Sequence, residues 1–382
     1  MLKVITIFGT RPEAIKMAPL VRELKKHPDE IDCKVAVTAQ HREMMDQVLR
    51  LFDLTPDYDL NVMQANQTLF DITVRALAGL REILQREKPD LVLVHGDTTT
   101  TFVGALAAYY LQIPVGHVEA GLRTYNKYSP FPEEINRRLT GALTDLHFSP
   151  TRQTKRNLLL EGTPAENIFV TGNTVIDALV ETVKKDYTFS DPLLQGLDFT
   201  NRRLLLVTAH RRENLGQPLE NICIALKELV RDYPDVEVVF PVHKNPLVRQ
   251  VVEKGLGDLE RVHLIEPLDY QPFANLIKNC YLILSDSGGL QEEAPALGKP
   301  VLVLRNTTER PEAVEAGAVR LVGAEREAVT AAAKRLLDDR RDYEKMANIV
   351  NPYGDGRASQ RIVQGIRVKF GLSRAPVEEF GS

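Results

Sequence analysis

The sequence predicts an α/β protein made of two doubly wound domains, each a parallel sheet with helices on both faces. Three observations carry this. The chain has 382 residues, twice the usual length of one domain. Short β-branched runs alternate with helix-like segments from the first residue. The same alternation starts afresh near residue 203, after a polar stretch.

Residues 3–8 (KVITIF) form an apolar run of strand length, broken by Gly9-Thr10-Arg11-Pro12. Residues 14–25 then carry apolar side chains at helical spacing. Residues 33–38, 91–95 (LVLVH) and 115–118 read as further strands, with a small-residue helix over 100–111. Nearly continuous apolar strands separated by helices indicate a parallel sheet buried on both faces. The second set of strands reads 204–208 (LLLVT), 236–241, 262–265, 281–285 and 301–304, with a helix over 218–233. Residues 184–203, polar and containing Pro192 and Gly196, suit a connection. A final helix over 358–370 follows the turn-rich NPYGDG of 351–356 and is expected to return to the first domain. One large sheet is the alternative reading.

Composition narrows the class. With 43% hydrophobic and 26% charged residues, the chain can bury cores and keep a polar surface. Lys+Arg 48 against Asp+Glu 52 leaves a net charge of −4, which argues against a nucleic-acid binder. Cys33, Cys223 and Cys280 are too few and too scattered for a disulfide framework or a four-cysteine zinc site. No apolar run approaches the roughly 18 residues of a membrane span, and the Met-Leu-Lys start lacks a signal-peptide layout. The expectation is a soluble, reduced, cytoplasmic protein without a membrane partner. The absence of tryptophan excludes a carbohydrate-stacking surface built on indole rings.

In open α/β sheets ligands bind beyond the carboxyl ends of the strands, so side chains just after strands matter most. The segment 9–16 (GTRPEAIK) follows the first strand and opens a helix, but it is not G-x-G-x-x-G. No segment satisfies G-x-x-x-x-G-K-[ST] either, since Leu122-Arg123-Thr124 follows the glycines of 116–121. Nicotinamide enzymes and P-loop nucleotidases are disfavoured. Arg11 and Lys16 stand where a helix start could hold an anion, though surface charge is the plain alternative. After the strand 281–285 come Asp286, Ser287, Gly288 and Gly289, then a helix-like stretch with Glu292 and Glu293. Free N–H groups of Ser287, Gly288 and Gly289 would bind phosphate oxygens, and a following carboxylate would take ribose hydroxyls. His210, Arg211 and Arg212 stand at another strand exit and suit a diphosphate.

Carboxylates gather after strands of the first domain. Asp97 follows LVLVHG, Glu119 follows VGHV, and Glu133 and Glu134 lie in the proline-stiffened SPFPEEINR. Each alone is more often a cap or a surface acid. Together near one cleft they would supply a general base and acid. His95, His117 and Asp97 show no ligand-spaced pattern, so no metal is expected.

Taken in order, GTRPEAIKMAPL, HGDTTTT, GHVEAGLRT, PEEINRR, TGNTVIDAL, TAHRREN, DSGGLQEEAPALGKPVLVLRNTTERPEA and NPYGDGRAS resemble the motif series of the non-hydrolysing UDP-N-acetylglucosamine 2-epimerases. They run from residue 9 to 359, and the ordered set is far more specific than any one motif. The resemblance implies a GT-B fold with two Rossmann-like domains and the active site in the interdomain cleft. The N-terminal domain would span 1–172 plus a C-terminal helix of about 355–382, and the UDP-binding domain 173–354. It implies an isomerase that interconverts UDP-N-acetylglucosamine and UDP-N-acetylmannosamine, eliminating UDP to give 2-acetamidoglucal and then adding it back. The product would supply bacterial surface polysaccharides. It implies a homodimer and no cofactor. Asp97, Glu119, Glu133 and His210 would be catalytic, with Asp97 and Glu119 handling the proton. Arg11, Lys16, Phe273, Ser287, Gly288, Gly289, Glu293 and Arg310 would hold the substrate. The alternatives are a hydrolysing epimerase, a relative acting on a diacetamido-uronic acid nucleotide, a GT-B glycosyltransferase and a non-catalytic sugar-nucleotide sensor.

Some bacterial members of the family also bind a second UDP-N-acetylglucosamine as an activator. Gln40, Glu134, Arg211 and His243 fit that pattern here. Glu43 stands where glutamine is typical, and Asn66 where arginine is typical. An acid near a diphosphate and a missing cation predict weakened or altered activation. A substrate-saturation curve tests this. Strong sigmoidality, with UDP-N-acetylmannosamine inert until UDP-N-acetylglucosamine is added, would refute it.

Overall fold

A computed structural model describes residues 1–39, 42–64 and 67–381, with the side chains of 42–44 excepted. The chain forms two compact units, Met1–Glu181 with Tyr353–Ser382, and Thr182–Pro352. Both are Rossmann-like doubly wound parallel sheets covered by helices, the two components of a GT-B fold.

The first unit holds seven strands. They are β1 (Leu2–Phe8), β2 (Ile31–Val37), β3 (Tyr58–Asp59), β4 (Leu91–His95), β5 (Val115–Val118), β6 (Leu146–Ser149) and β7 (Ile168–Val170). Their order is β3-β2-β1-β4-β5-β6-β7. β4 and β5 are buried at every position, as strands covered on both faces must be. The second unit holds β8 (Arg203–Thr208), β9 (Val236–Pro241), β10 (Val262–Ile265), β11 (Leu282–Ser285), β12 (Val301–Val303) and β13 (Val319–Leu321), in the order β10-β9-β8-β11-β12-β13. The sequence reading lacks β3, β6, β7 and β13. These are two to four residues long, or interrupted by His147 and Arg320. Even β7, apolar throughout as IFV, is only three residues long.

The order of strands reverses between β1 and β4 in the first sheet and between β8 and β11 in the second. At such a switch point the helices on either side leave in opposite directions, opening a crevice above the strand ends. In each unit the loops bearing the sequence motifs flank that point. The helix Ala358–Lys369 belongs to the first unit, where it packs on the helix Arg11–Lys25. The buried Asp177 accepts the amides of Ala358 and Ser359 at 3.1 and 2.7 Å, so a side chain of one helix anchors the start of another.

Candidate functional site

In the first unit the loop after β1 must pass close to the loop after β2 and the start of the helix Thr99–Tyr110. A Cβ at Gly9 would collide with the hydroxyls of Thr38 and Thr100, so only glycine fits there. Glu13, 2% exposed, fixes the turn. Its Oε2 accepts the Gly9 and Thr10 amides at 3.0 and 2.7 Å. Its Oε1 accepts the hydroxyls of Thr98, the N-cap of the helix Thr99–Tyr110, and of Thr101 in its first turn, at 2.7 and 3.1 Å. Burial pushes the Glu13 carboxyl up, against these hydrogen bonds. Arg11 opens the helix and Lys16 follows within it.

Beyond β4, the half-buried Asp97 accepts a hydrogen bond from Arg137 Nη2, and Asn136 Nδ2 donates to the Asp97 carbonyl at 3.0 Å. Arg137 also lies 3.5 Å from Glu134. Glu134 is fully buried and accepts the Thr124 and Tyr125 amides, each at 3.0 Å. Burial pushes the Asp97 carboxyl up, and Arg137 opposes the shift. Glu119 and Lys16 are also close enough to act on it, the one raising and the other lowering. Glu133 opens the helix Glu133–Leu143, and its Oε2 is buried with no hydrogen bond among the described residues.

Glu119 follows β5 with φ +63°, the left-handed region. A non-glycine residue there costs roughly 1–2 kcal/mol, which the surrounding contacts offset. Lys16 Nζ forms an ion pair with Glu119 Oε2, and Asn173 Nδ2 donates to the same oxygen at 2.8 Å. His95 Nε2 lies 3.8 Å from it. Arg11, Lys16, Asp97 and Glu119 thus all stand beyond the carboxyl ends of β1, β4 and β5. Burial pushes the His95 and His117 imidazoles down to about 4 and about 3. Both are therefore neutral near pH 7.

The second unit repeats this pattern. Asp286, fully buried after β11, accepts the His210 and Arg211 amides, each at 2.8 Å, and Asn214 Nδ2 at 3.0 Å. Its other oxygen lies 3.2 Å from His210 Nδ1. His210 stacks on His243 with ring centroids 5.6 Å apart. Partial burial pushes the His210 imidazole down, Asp286 opposes that, and His243 and Arg211 add to it. Lowered from the ordinary histidine range, the His210 imidazole is largely neutral at pH 7.

Ser287 occupies the N-cap position of the helix Gly288–Ala296 without a side-chain capping hydrogen bond. Its own amide donates to Ser285 Oγ at 2.9 Å, which leaves the amides of Gly288 and Gly289 as the anion donors of this turn. Gly289 is exposed, has no left-handed φ, and would meet only ordinary contacts with a Cβ added. Glu293 accepts the Tyr270 hydroxyl at 3.1 Å, and Glu292 pairs with Arg310. Phe273 is half-buried on the same helix as Tyr270. Arg211 reaches Glu309 at 3.1 Å. Gln40, Asn66 and the side chain of Glu43 lie outside the described residues.

Four positioning side chains escaped the sequence reading, namely Glu13, Arg137, Asn173 and Asp286. Arg137 is three residues after Glu134 and four after Glu133 on a helix, a spacing that places the three on one face. No sequence signal pairs Asn173 with Glu119, because the two belong to different strand exits. Among the described residues no cluster of three His, Cys, Asp or Glu side chains has metal-site geometry, and no helix is long and apolar enough to cross a membrane.

Two doubly wound units with their motif residues at the strand exits define a GT-B-type α/β protein. The family model described as UDP-N-acetylglucosamine 2-epimerase matches residues 22–367. A UDP-N-acetylglucosamine 2-epimerase of Bacillus subtilis is 59% identical over 379 residues, covering 99% of this chain and 98% of that one. The structure of the Neisseria meningitidis UDP-GlcNAc 2-epimerase bound to UDP-GlcNAc has a TM-score of 0.85 at 53% identity, covering 96% of this chain and 99% of that one. The S. aureus MnaA–UDP structure has a TM-score of 0.88 at 52% identity, with full coverage of both. The chain belongs to the UDP-N-acetylglucosamine 2-epimerase family.

The Asp97–Arg137 pair yields a linkage prediction. A carboxyl raised by folding contributes stability that is present when it is protonated and is lost as pH rises through its folded value. Arg137→Gln removes the opposing cation and enlarges that loss. The variant should be less stable than the parent by about 1–3 kcal/mol near pH 7 and by much less near pH 4. Denaturant titrations at the two pH values measure this, and equal losses at both would count against the pairing.

Proposed function

We propose that this chain interconverts UDP-N-acetylglucosamine and UDP-N-acetylmannosamine without hydrolysis, as a homodimer. The observation that carries the proposal is the pair of carboxylates beyond β4 and β5. Asp97 is pushed toward its protonated form by burial, whereas Glu119 is held by the Lys16 cation. Two acids in contrasting environments suit proton removal and proton delivery at one centre. The ligands in the neisserial and S. aureus relatives, UDP-GlcNAc and UDP, support the substrate class.

The chemistry follows from the substrate. The C2 hydrogen has no carbonyl beside it, so a carboxylate removes it only as positive charge develops at C1. The C1–O bond breaks with its electrons going to UDP, the C2–H electrons form the C1=C2 bond of 2-acetamidoglucal, and the proton passes to one carboxylate. On return a proton reaches the opposite face of C2 while a phosphate oxygen re-forms the bond to C1. Stabilising the departing diphosphate is the larger electrostatic task. Arg11, Lys16, Arg310 and the Gly288 and Gly289 amides suit it, with neutral His210 as a donor. Glycine at 289 is required by neither conformation nor packing, which favours close approach of a ligand as its reason. Phe273 and Glu293 would contact the nucleoside.

The homodimer reading is supported by Phe70 and Val74, which are 84% and 66% exposed one turn apart on the helix Leu69–Glu87. Light scattering should give twice the chain mass of 42.9 kDa, and a monomer mass would overturn that part. Incubation with UDP-N-acetylglucosamine in deuterated water tests the reaction. The expected result is deuterium at C2 of both nucleotide sugars, slowed at least about 100-fold in Asp97→Asn and Glu119→Gln. Free sugar would indicate the hydrolysing alternative, transfer to an added acceptor a glycosyltransferase, and unchanged substrate would sink all three.

A further inference from the structure

His95 ends β4 with 3% of its surface exposed, and neither ring nitrogen has a hydrogen bond among the described residues. A buried polar group left in this state needs a reason. The histidine of the next strand shows the contrast, for His117 Nε2 meets the Gly96 carbonyl at 2.7 Å. The titratable groups facing His95 are Glu119 and Lys16, with His117 beside them, and Asp97 follows two residues later in the chain. Its Nε2 is 3.8 Å from Glu119 Oε2, beyond a hydrogen bond yet within a small side-chain adjustment of one. Burial keeps the ring neutral.

Lys16 links Glu119 to the substrate. Its ammonium pairs with Glu119, and by the function proposed above the same ammonium also serves the substrate diphosphate. As the diphosphate draws on that charge, the Glu119 carboxylate keeps the Asn173 amide and can take a further donor in place of Lys16. We infer that His95 is a positioning residue for Glu119, its Nε2–H bonding that carboxylate as Lys16 turns toward the diphosphate. A neutral donor suits a carboxylate that must take up and return a proton, because a full positive charge would hold it ionised. The role is one of positioning, since His95 reaches the reacting carbon only through Glu119.

The inference rests on the proposed epimerase activity, so the test reads parent and variants side by side. His95→Leu should lower kcat about 10–100-fold, with KM within about threefold and UDP affinity unchanged. The acid limb of its kcat–pH profile should move upward, as loss of a donor to a carboxylate requires. Gln and Asn variants separate donation from packing, since Gln carries its amide nitrogen to the Nε2 position and Asn to the Nδ1 position. His95→Gln should recover most of kcat and His95→Asn little, and this pair decides the matter even where the Leu variant does not fold. A Leu variant within twofold of the parent with an unshifted profile overturns the inference, as does Asn equal to or better than Gln. A parent that incorporates no deuterium at C2 overturns the functional reading itself, whatever the variants do.

Discussion

One interaction recurs in both units and the rest of each site hangs on it. It is a fully buried carboxylate lying across the point where the strand order reverses. In the first unit Glu13 ties the Gly9–Thr10 turn after β1 to the Thr98 and Thr101 hydroxyls after β4. In the second, Asp286 after β11 holds the His210 and Arg211 amides after β8. An ionised carboxylate out of water costs several kcal/mol unless its lone pairs are filled. Three or four donors converge on each, and they come from the loops that border the crevice. A sheet opens a crevice at its switch point by topology alone. The carboxylate makes its two walls a single rigid piece.

Around these staples the two units carry different electrostatics. The first gathers acids, with Asp97 on Arg137 and Glu119 on Lys16. The second gathers donors, with His210, Arg211, Arg310 and the glycine amides at a helix start. Neither shows in a net charge of −4. The buried histidines of β4 and β5 add polar atoms without adding charge, because desolvation holds them neutral. Glu119 stands out further, accepting a left-handed backbone to present its carboxylate beside Lys16 and Asn173. Strain of that kind persists only where the surroundings over-determine it.

Much of the fold is legible in the sequence, and for a local reason. KVITIF, LVLVH and LLLVT are continuous apolar runs because central parallel strands are buried on both faces. β3, β7 and β13 escape notice because two or three residues give no periodicity to read. Among the site residues, Asp97, Glu119, His210 and the Ser287–Gly289 turn are legible because each follows a strand directly. Asn173 is not, since its partner Glu119 lies 54 positions earlier. The Ser287 amide reads as free in sequence but is taken by Ser285 Oγ, a contact set by how the turn closes.

By itself the sequence determines the alternation of strands and helices, and so a pair of doubly wound sheets with chemistry at the strand exits. Gly9, by contrast, answers a steric demand from Thr38 and Thr100 that only the tertiary structure brings close. Which side chains pair, which acid is raised, and which histidines stay neutral are decided only by tertiary structure. These properties depend on desolvation and on distances of a few ångströms between residues far apart in the chain. Arg137 reaches back 40 positions to Asp97 and Lys16 forward 103 to Glu119, and no local pattern encodes either meeting.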